Sequence, residues 1–338
     1  MPNKILQGDS LKELRKLEEN SIDCVVTSPP YWALRDYGID GQLGLESNFQ
    51  DYINRLCDIF DEIRRVLKKE GTCFVNLGDT YGGSGKGAGG YSNKSTLSGF
   101  TSQDTKGRKM AKESWNFKKA PSTENDIPKS LCQIPSRFAI EMTNRGWILR
   151  NEIIWHKPNQ MPSSVTDRFS VDFEKMFFFT KNTKYYFEQQ FDSAITKENR
   201  PHSVVRDREL GYDSKRKAMS KKLANGAVKR TGGAISGGTD NSTLGISAYE
   251  KRNKRAVWSI NTKPYNEAHF ATYPEELIET PIKAGCPVGG IVLDPFFGSG
   301  TTGVVAIKLG RKYLGIELNP AYIKIAQDRL DALGEPLF

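Results

Sequence analysis

No stretch of this 338-residue chain is apolar for long enough to cross a membrane as a helix, which takes about 20 consecutive apolar residues. Cysteine is sparse as well. Cys24, Cys57, Cys73, Cys132 and Cys286 are scattered, odd in number and form no Cys-x-x-Cys pair. That removes a disulfide framework and a cysteine zinc site from consideration and fits a reducing, cytoplasmic setting. The opening MPNKILQGDS lacks the apolar core and cleavage site of a secretory signal. There is no internal repeat. What remains is a globular composition, 37% hydrophobic and 26% charged, with length for one large domain or two small ones.

What is present is basic charge, and it is concentrated. Residues 181–256 hold 17 Lys and Arg against 8 Asp and Glu, an excess equal to the whole chain's net charge of +9. A basic segment beside a balanced body points to a polyanion, of which nucleic acid is the commonest. The blander reading is a solvated insert whose lysines face only water.

Elsewhere, strand and helix patterns alternate. KILQGD reads as a strand and SLKELRKL as a helix, with Ser10 placed to cap it and Glu13 three residues on. IDCVVT is a continuous apolar run suited to a buried parallel strand. Apolar residues from Phe49 to Leu67 recur at helical spacing, with Gly71 as the stop. TCFVNLGD is a buried strand, and IPSRFAIEMTNRGW a helix. WILRNEIIWHKPN and VDFEKMFFFTKNTKYYF read as two long strands, a hairpin at the sheet edge. PEELIETPIKAG, GGIVLDPF, SGTTGVVAIKLG, RKYLGIEL and PAYIKIAQDRLDAL then alternate helix and strand. Such alternation specifies an α/β sheet. Two stretches depart from it. Residues 82–125, rich in Gly, Ser and Lys, read as a long mobile loop, and residues 188–256 lose hydrophobic periodicity.

Two motifs carry chemistry. In the first, IVLD runs into PFFGSGTTG, with Gly298, Gly300 and Gly303 in G-x-G-x-x-G spacing between a strand and a helix. Glycines there let a ligand approach the backbone at a helix N-terminus. Glu317 ends the next strand, where a carboxylate can accept from two ribose hydroxyls. The pattern serves a dinucleotide or S-adenosylmethionine. Asp294, before the loop, favours the latter, because the methionine moiety has an ammonium for it to receive and NAD has none.

The second motif is VVTSPPYW, residues 25–32. Ser28 offers a hydroxyl acceptor. Pro29 offers a carbonyl, held still because the prolines fix φ. Tyr31 offers a flat face on which a base can stack. An exocyclic amino group is a poor nucleophile while its lone pair is delocalised into the ring. Two acceptors on its hydrogens would draw the nitrogen toward tetrahedral geometry and let it attack a sulfonium methyl directly. The plain alternative is a strand end and turn, with Tyr31 packed on the core.

TSPPY, DPFFGSGTT and GIELNP together resemble the amino-methylating DNA methyltransferases. Their order, TSPPY before FxGxG, resembles the circularly permuted beta group of that family. The resemblance covers residues 3–80, 127–187 and 257–330. It implies a doubly wound, seven-stranded mixed sheet with one antiparallel hairpin edge. It implies a catalytic domain of residues 1–187 and 257–338, with a basic target-recognition insert at 188–256. S-adenosyl-L-methionine is the implied cofactor, with Asp9 at its adenine amino group, Asp294, Phe296, Gly298 and Gly300 along its methionine end, and Glu317 at its ribose. The target base, flipped out of double-stranded DNA, would lie against Ser28, Pro29, Pro30 and Tyr31. Serine in the first motif position and the WALRDYG continuation are similar to the cytosine-N4-specific type II modification methylases. Asp or Asn is more usual there in adenine-N6 enzymes, which stand as the alternative. The resemblance calls for no metal and no membrane, and allows a separately acting restriction endonuclease.

Other classes explain less. A cytosine-C5 enzyme would place Pro-Cys where this chain has Ser28-Pro29; Cys132 reads as a buried structural cysteine and His156 as a strand-end surface residue. An NAD-dependent oxidoreductase accounts for the glycine loop alone. A non-catalytic DNA-binding module leaves the acids, glycines and TSPPY unexplained. Reversing Lys215, Lys217, Lys221, Lys222 and Lys229 to glutamate is expected to weaken duplex binding and flatten its salt dependence, by about 0.9 in log–log slope for each phosphate no longer neutralised. Filter binding across a salt series measures this; unchanged affinity removes the segment as a DNA-binding element.

Overall fold

Several strands carry apolar residues on both faces, so the sheet has to be covered on both sides. In β2 (Ile22–Thr27), Ile22 and Val25 enter one buried cluster and Cys24 and Val26 another. In β5 (Phe173–Thr180), Phe177 and Phe179 join the first cluster, and Met176 and Phe178 the second. The computed structural model describes residues 3–32, 41–82, 127–193, 251–263 and 273–333. The stretch read as a mobile loop lies outside them beyond Gly82, as does most of the basic stretch 188–256.

Two compact units are present, Met1–Glu188 with Ala256–Phe338, and Gln189–Arg255. Within the second, β6 (Phe191–Ser193) pairs antiparallel with β7 (Lys251–Asn253), and the Asp192 carboxylate accepts from the Arg255 N–H and the Lys254 ammonium.

The first unit is a mixed α/β fold around one sheet. Its remaining strands are β1 (Lys4–Gln7), β3 (Leu67–Leu77), β4 (Ile148–His156), β8 (Val257–Ser259), β9 (Ile291–Asp294) and β10 (Lys312–Glu317), and the order is β1-β10-β9-β2-β3-β5-β4-β8. The run from β1 to β3 is parallel, β5 is antiparallel to both β3 and β4, and β8 is parallel to β4. The β4–β5 hairpin is therefore not the edge. Short β8, its Trp258 beside Trp155, covers β4 and makes an eighth strand where seven were expected.

The helices divide between the two faces. Residues of α1 (Ser10–Leu14), α2 (Phe49–Val66) and α3 (Ile134–Asn144) fill the first cluster. Residues of α4 (Glu275–Gly285), α5 (Thr301–Lys308) and α6 (Pro320–Asp331) fill the second. Chain leaving β2 continues through α2 on one face, and chain leaving β9 continues through α5 on the other. The carboxyl ends of these adjacent strands thus form the switch point at which such sheets bind ligands.

Two local expectations are corrected. Asp9, not Ser10, caps α1: its carboxylate accepts from the Lys12 N–H at 3.0 Å, while the Ser10 hydroxyl donates to the Pro295 carbonyl at 2.6 Å. A partner 285 residues away outcompetes the local cap. Helix α2 ends at Val66, before Gly71, and Leu67 starts β3 at once. The Lys181 ammonium donates to the Arg64 and Leu67 carbonyls, satisfying the helix end without a glycine. Gly71 instead lies in the strand, where a Cβ would fall 3.0 Å from the Asp23 carbonyl.

Phe138 of α3 centres the first cluster, 5.1 Å from the ring of Phe60 and 6.0 Å from that of Phe179. Phe138→Ala is expected to cost about 3–5 kcal/mol, read by urea denaturation followed by circular dichroism.

Candidate active site

Four parallel strands, β1, β10, β9 and β2, end side by side, and the residues just past them form one cluster. Strand β9 ends at Asp294, 1% exposed. Each of its oxygens accepts two bonds. Oδ1 takes the Thr27 hydroxyl at 2.6 Å and the Phe296 N–H at 3.0 Å; Oδ2 takes the Thr302 hydroxyl at 2.6 Å and the Tyr273 phenol at 3.0 Å. The Tyr273 and Thr302 hydroxyls also touch each other. Burial pushes the Asp294 carboxyl up, and the four donors oppose that. Burial, with the Asp294 charge added, holds the Tyr273 phenol well above its usual range. A carboxylate offers about four acceptor sites, so the fold occupies the acid that the sequence assigned to an ammonium.

Glu317 differs. Burial pushes its carboxyl up too, but among the described residues its oxygens meet only backbone donors, Oε2 the Gly298 N–H at 2.7 Å and Oε1 the Asn319 N–H at 2.8 Å. It keeps acceptor capacity for a diol. Asp9 lies beyond the end of β1, whose Gln7 pairs with Glu317, and the Gly8 N–H donates to the Glu317 carbonyl.

The glycines have distinct reasons. A Cβ at Gly298 (φ +51°) would meet nothing nearer than the Phe296 carbonyl at 4.0 Å among the described residues, which leave open space beside its backbone. Gly300 (φ +80°) lies where a Cβ would fall 2.8 Å from that of Ala326. A Cβ at Gly303 would lie 2.7 Å from the Phe297 ring, which stacks on Tyr313 at 5.6 Å. Gly298 is therefore the glycine of the three with room beside its backbone, while Gly300 and Gly303 admit core side chains. Gly298 and Glu317 together present a backbone surface and an acid that could hold a ribose-bearing cofactor, and Phe296, half-buried, flanks the same turn.

Ser28, Pro29, Pro30 and Tyr31 follow β2 directly. Tyr52 of α2, fully buried, donates to the Pro30 carbonyl at 2.9 Å, which fixes the turn. Trp32 is 3% exposed, and its indole N–H donates to the Glu46 carbonyl at 3.0 Å; of the aromatic pair, only Tyr31 borders the cluster. The Tyr31 ring lies over Gly78, where any Cβ would overlap it. Its phenol donates to Glu174 Oε2 at 2.7 Å and accepts from the Asn76 amide at 2.8 Å and the Ser28 hydroxyl at 3.4 Å. The same Asn76 amide donates to Glu174 Oε2 at 2.7 Å, and the Lys157 ammonium donates to Oε1. Burial and the adjacent Glu174 charge hold the Tyr31 phenol far above its ordinary range, so it stays protonated.

Sequence reading missed Thr27, Asn76, Gly78, Lys157, Glu174, Tyr273 and Thr302. Asn76 and Gly78 left a signal, a polar residue and a glycine closing the apolar run FVNLG. Glu174 and Lys157 left none, because only the β4–β5 register brings them together. Cys132 and the other four cysteines are buried. Burial pushes the thiols of Cys24 and Cys57 up to about 12, so neither is a ready nucleophile. No cluster of metal-ligating side chains occurs among the described residues.

Comparison with known proteins identifies the family. A family model described as DNA methylase matches residues 22–328. The chain is 40% identical over 329 residues to the type II methyltransferase M.Cfr9I of Citrobacter freundii, covering 96% of this chain and 87% of that one. Its fold is similar to that of the PvuII DNA methyltransferase (cytosine-N4-specific), with a TM-score of 0.58 at 17% identity over 97% and 86% of the two chains. It is also similar to TTHA0409 of Thermus thermophilus complexed with S-adenosyl-L-methionine, with a TM-score of 0.54 at 20% identity over 99% and 96%. The chain belongs to the DNA methylase family.

Because a methyl group at residue 78 has to displace Tyr31, Gly78→Ala is expected to lower methyl transfer to DNA about 100-fold with far-UV circular dichroism unchanged. Full activity would show that the Tyr31 position is not required.

Proposed function

Taking membership of the DNA methylase family as the premise, we propose that this chain transfers a methyl group from S-adenosyl-L-methionine to the exocyclic N4 of cytosine in duplex DNA, at a specific site. The observation that carries this reading is the bond from Thr27 to Asp294. It sets the Ser-Pro-Pro-Tyr turn against the glycine turn at the open side of Gly298. Serine at position 28, where adenine-N6 enzymes more usually have Asp or Asn, selects cytosine.

S-adenosyl-L-methionine, when bound, supplies an electrophilic methyl on a sulfonium. Glu317 takes the ribose hydroxyls, Asp9 the adenine amino group, and Gly298 and Phe296 flank the methionine end. Asp294 shapes that end from behind through Thr27, Phe296 and Thr302. The Ser28 hydrogen is directed at Tyr31, which leaves the Oγ lone pairs free for an amino hydrogen; the Pro29 carbonyl takes the other. The Tyr31 face turned away from Gly78 is the wall for the base. A base reaching so enclosed a position has left its stack. The basic stretch within 181–256 holds the DNA backbone, and a separately acting endonuclease is a natural companion of a site-specific modification enzyme.

The test is to methylate unmodified plasmid with labelled S-adenosyl-L-methionine, hydrolyse it and identify the nucleoside by mass spectrometry. N4-methylcytosine is expected. N6-methyladenine would overturn the base assignment, and an unlabelled plasmid from every sequence tried would overturn the activity.

A further inference from the structure

Direct attack by an amino group leaves a proton to be removed. As the nitrogen–methyl bond forms and the methyl–sulfur bond breaks, the nitrogen carries one hydrogen too many. Ser28 can accept that proton only if it gives up its own, since a neutral hydroxyl holds no second proton at ordinary pH. The nearby acids differ in their capacity to receive it. Asp294 has four donors from the fold, and Glu317 faces the glycine turn.

Glu174 is different. Ser28 donates to the Tyr31 phenol, and Tyr31 donates to Glu174 Oε2. The two O–H groups donate in succession, from the turn after β2 toward the first residues of β5. The first link, 3.4 Å, is long for O–H···O, as catalytic bonds often are before substrate binds. The groups facing Glu174 are Tyr31, Asn76 from β3 and the Lys157 ammonium after β4. Lys157 places its ammonium against Glu174 Oε1, leaving Oε2 to meet the Tyr31 hydroxyl. The Asn76 amide N–H₂ serves both Tyr31 and Glu174, whereas its Oδ1 is buried, 2% of the residue being exposed, with no partner among the described residues.

We propose that Glu174 is the terminal acceptor of the proton released by the target amino group, delivered through Ser28 and Tyr31. The amino proton passes to Ser28 Oγ, the Ser28 hydrogen to the Tyr31 oxygen, and the Tyr31 hydrogen to Glu174 Oε2. Three bonds to hydrogen break and three form. Ser28 and Tyr31 end neutral, and Glu174 ends protonated. The Glu174 side chain, 18% exposed, returns the proton to water. The N-methylated cation, its charge not shared with the ring, is a far stronger acid than a carboxylic acid, so transfer to a carboxylate runs downhill. A phenol that resists ionising conducts the proton without stopping as phenolate.

The inference rests on the reading of Ser28 as the transfer site, and the test separates the two. Glu174→Gln keeps the shape and removes the acceptor. In single-turnover reactions its methyl transfer is expected to fall about 10²- to 10⁴-fold, the range of a lost general base. S-adenosyl-L-methionine affinity by calorimetry and base extrusion by 2-aminopurine fluorescence are expected to stay within about threefold of wild type, because the fold and both turns are untouched. In Glu174→Ala, added formate is expected to restore part of the rate in proportion to its concentration. A wild-type rate in Glu174→Gln overturns the inference, as does a Glu174→Ala defect that no formate concentration relieves. Wild-type protein that methylates no DNA overturns the transfer-site reading instead.

Discussion

The site depends on one buried carboxylate. Asp294 accepts from Thr27, 267 positions away in sequence, and from Thr302 and Tyr273 on the opposite side of the sheet switch. Burying a charge is costly unless it is hydrogen-bonded, and each bond to an ionised group contributes about 1.5–3 kcal/mol net. Four donors offset the burial and in return fix four pieces of chain. The Ser-Pro-Pro-Tyr turn begins one residue after Thr27, and the glycine turn begins one residue after Asp294. The two halves of the chemistry thus hang from a single side chain, and neither turn can shift without breaking a bond to it.

The target-base half has its own support. Tyr31 is pinned from three directions, by Gly78 beneath its ring, by Asn76 and Glu174 at its hydroxyl, and by Gly44, where a Cβ would fall 3.0 Å from the Tyr31 carbonyl. Asn76 and Glu174 come from neighbouring antiparallel strands, and Lys157 follows the next strand out. The hairpin side of the sheet therefore reaches into the site and is more than a cover for the core. A site built on strands is positioned more firmly than one built on loops, which suits a reaction that relies on placement.

The glycine turn shows how one motif divides its labour. Of three glycines in regular spacing, one adjoins open space and two make room for Phe297 and Ala326. Glycine spacing alone does not distinguish these roles, because a missing Cβ serves a ligand and a neighbouring side chain equally well. The same limit applies to Asp9, legible as an acid after the first strand, which the structure also makes the cap of α1.

The sequence by itself determined the alternation of strands and helices, the strand-turn-helix around the glycines, the acid closing β10 and the rigid turn after β2. These are local properties, set by side-chain periodicity, by the fixed φ of proline and by the missing Cβ of glycine within a few residues of chain. Only the tertiary structure decided that Thr27 meets Asp294, that Ser10 serves Pro295 while Asp9 caps α1, and that Glu174 and Lys157 stand behind Tyr31. Those pairings depend on strand order and register, which bring residues from distant parts of the chain to the same end of the sheet. For Thr27 with Asp294, Ser10 with Pro295 and Tyr31 with Glu174, no window of sequence short enough to read by pattern contains both partners, and the local cap by Asp9 was decided only once Ser10 was drawn away.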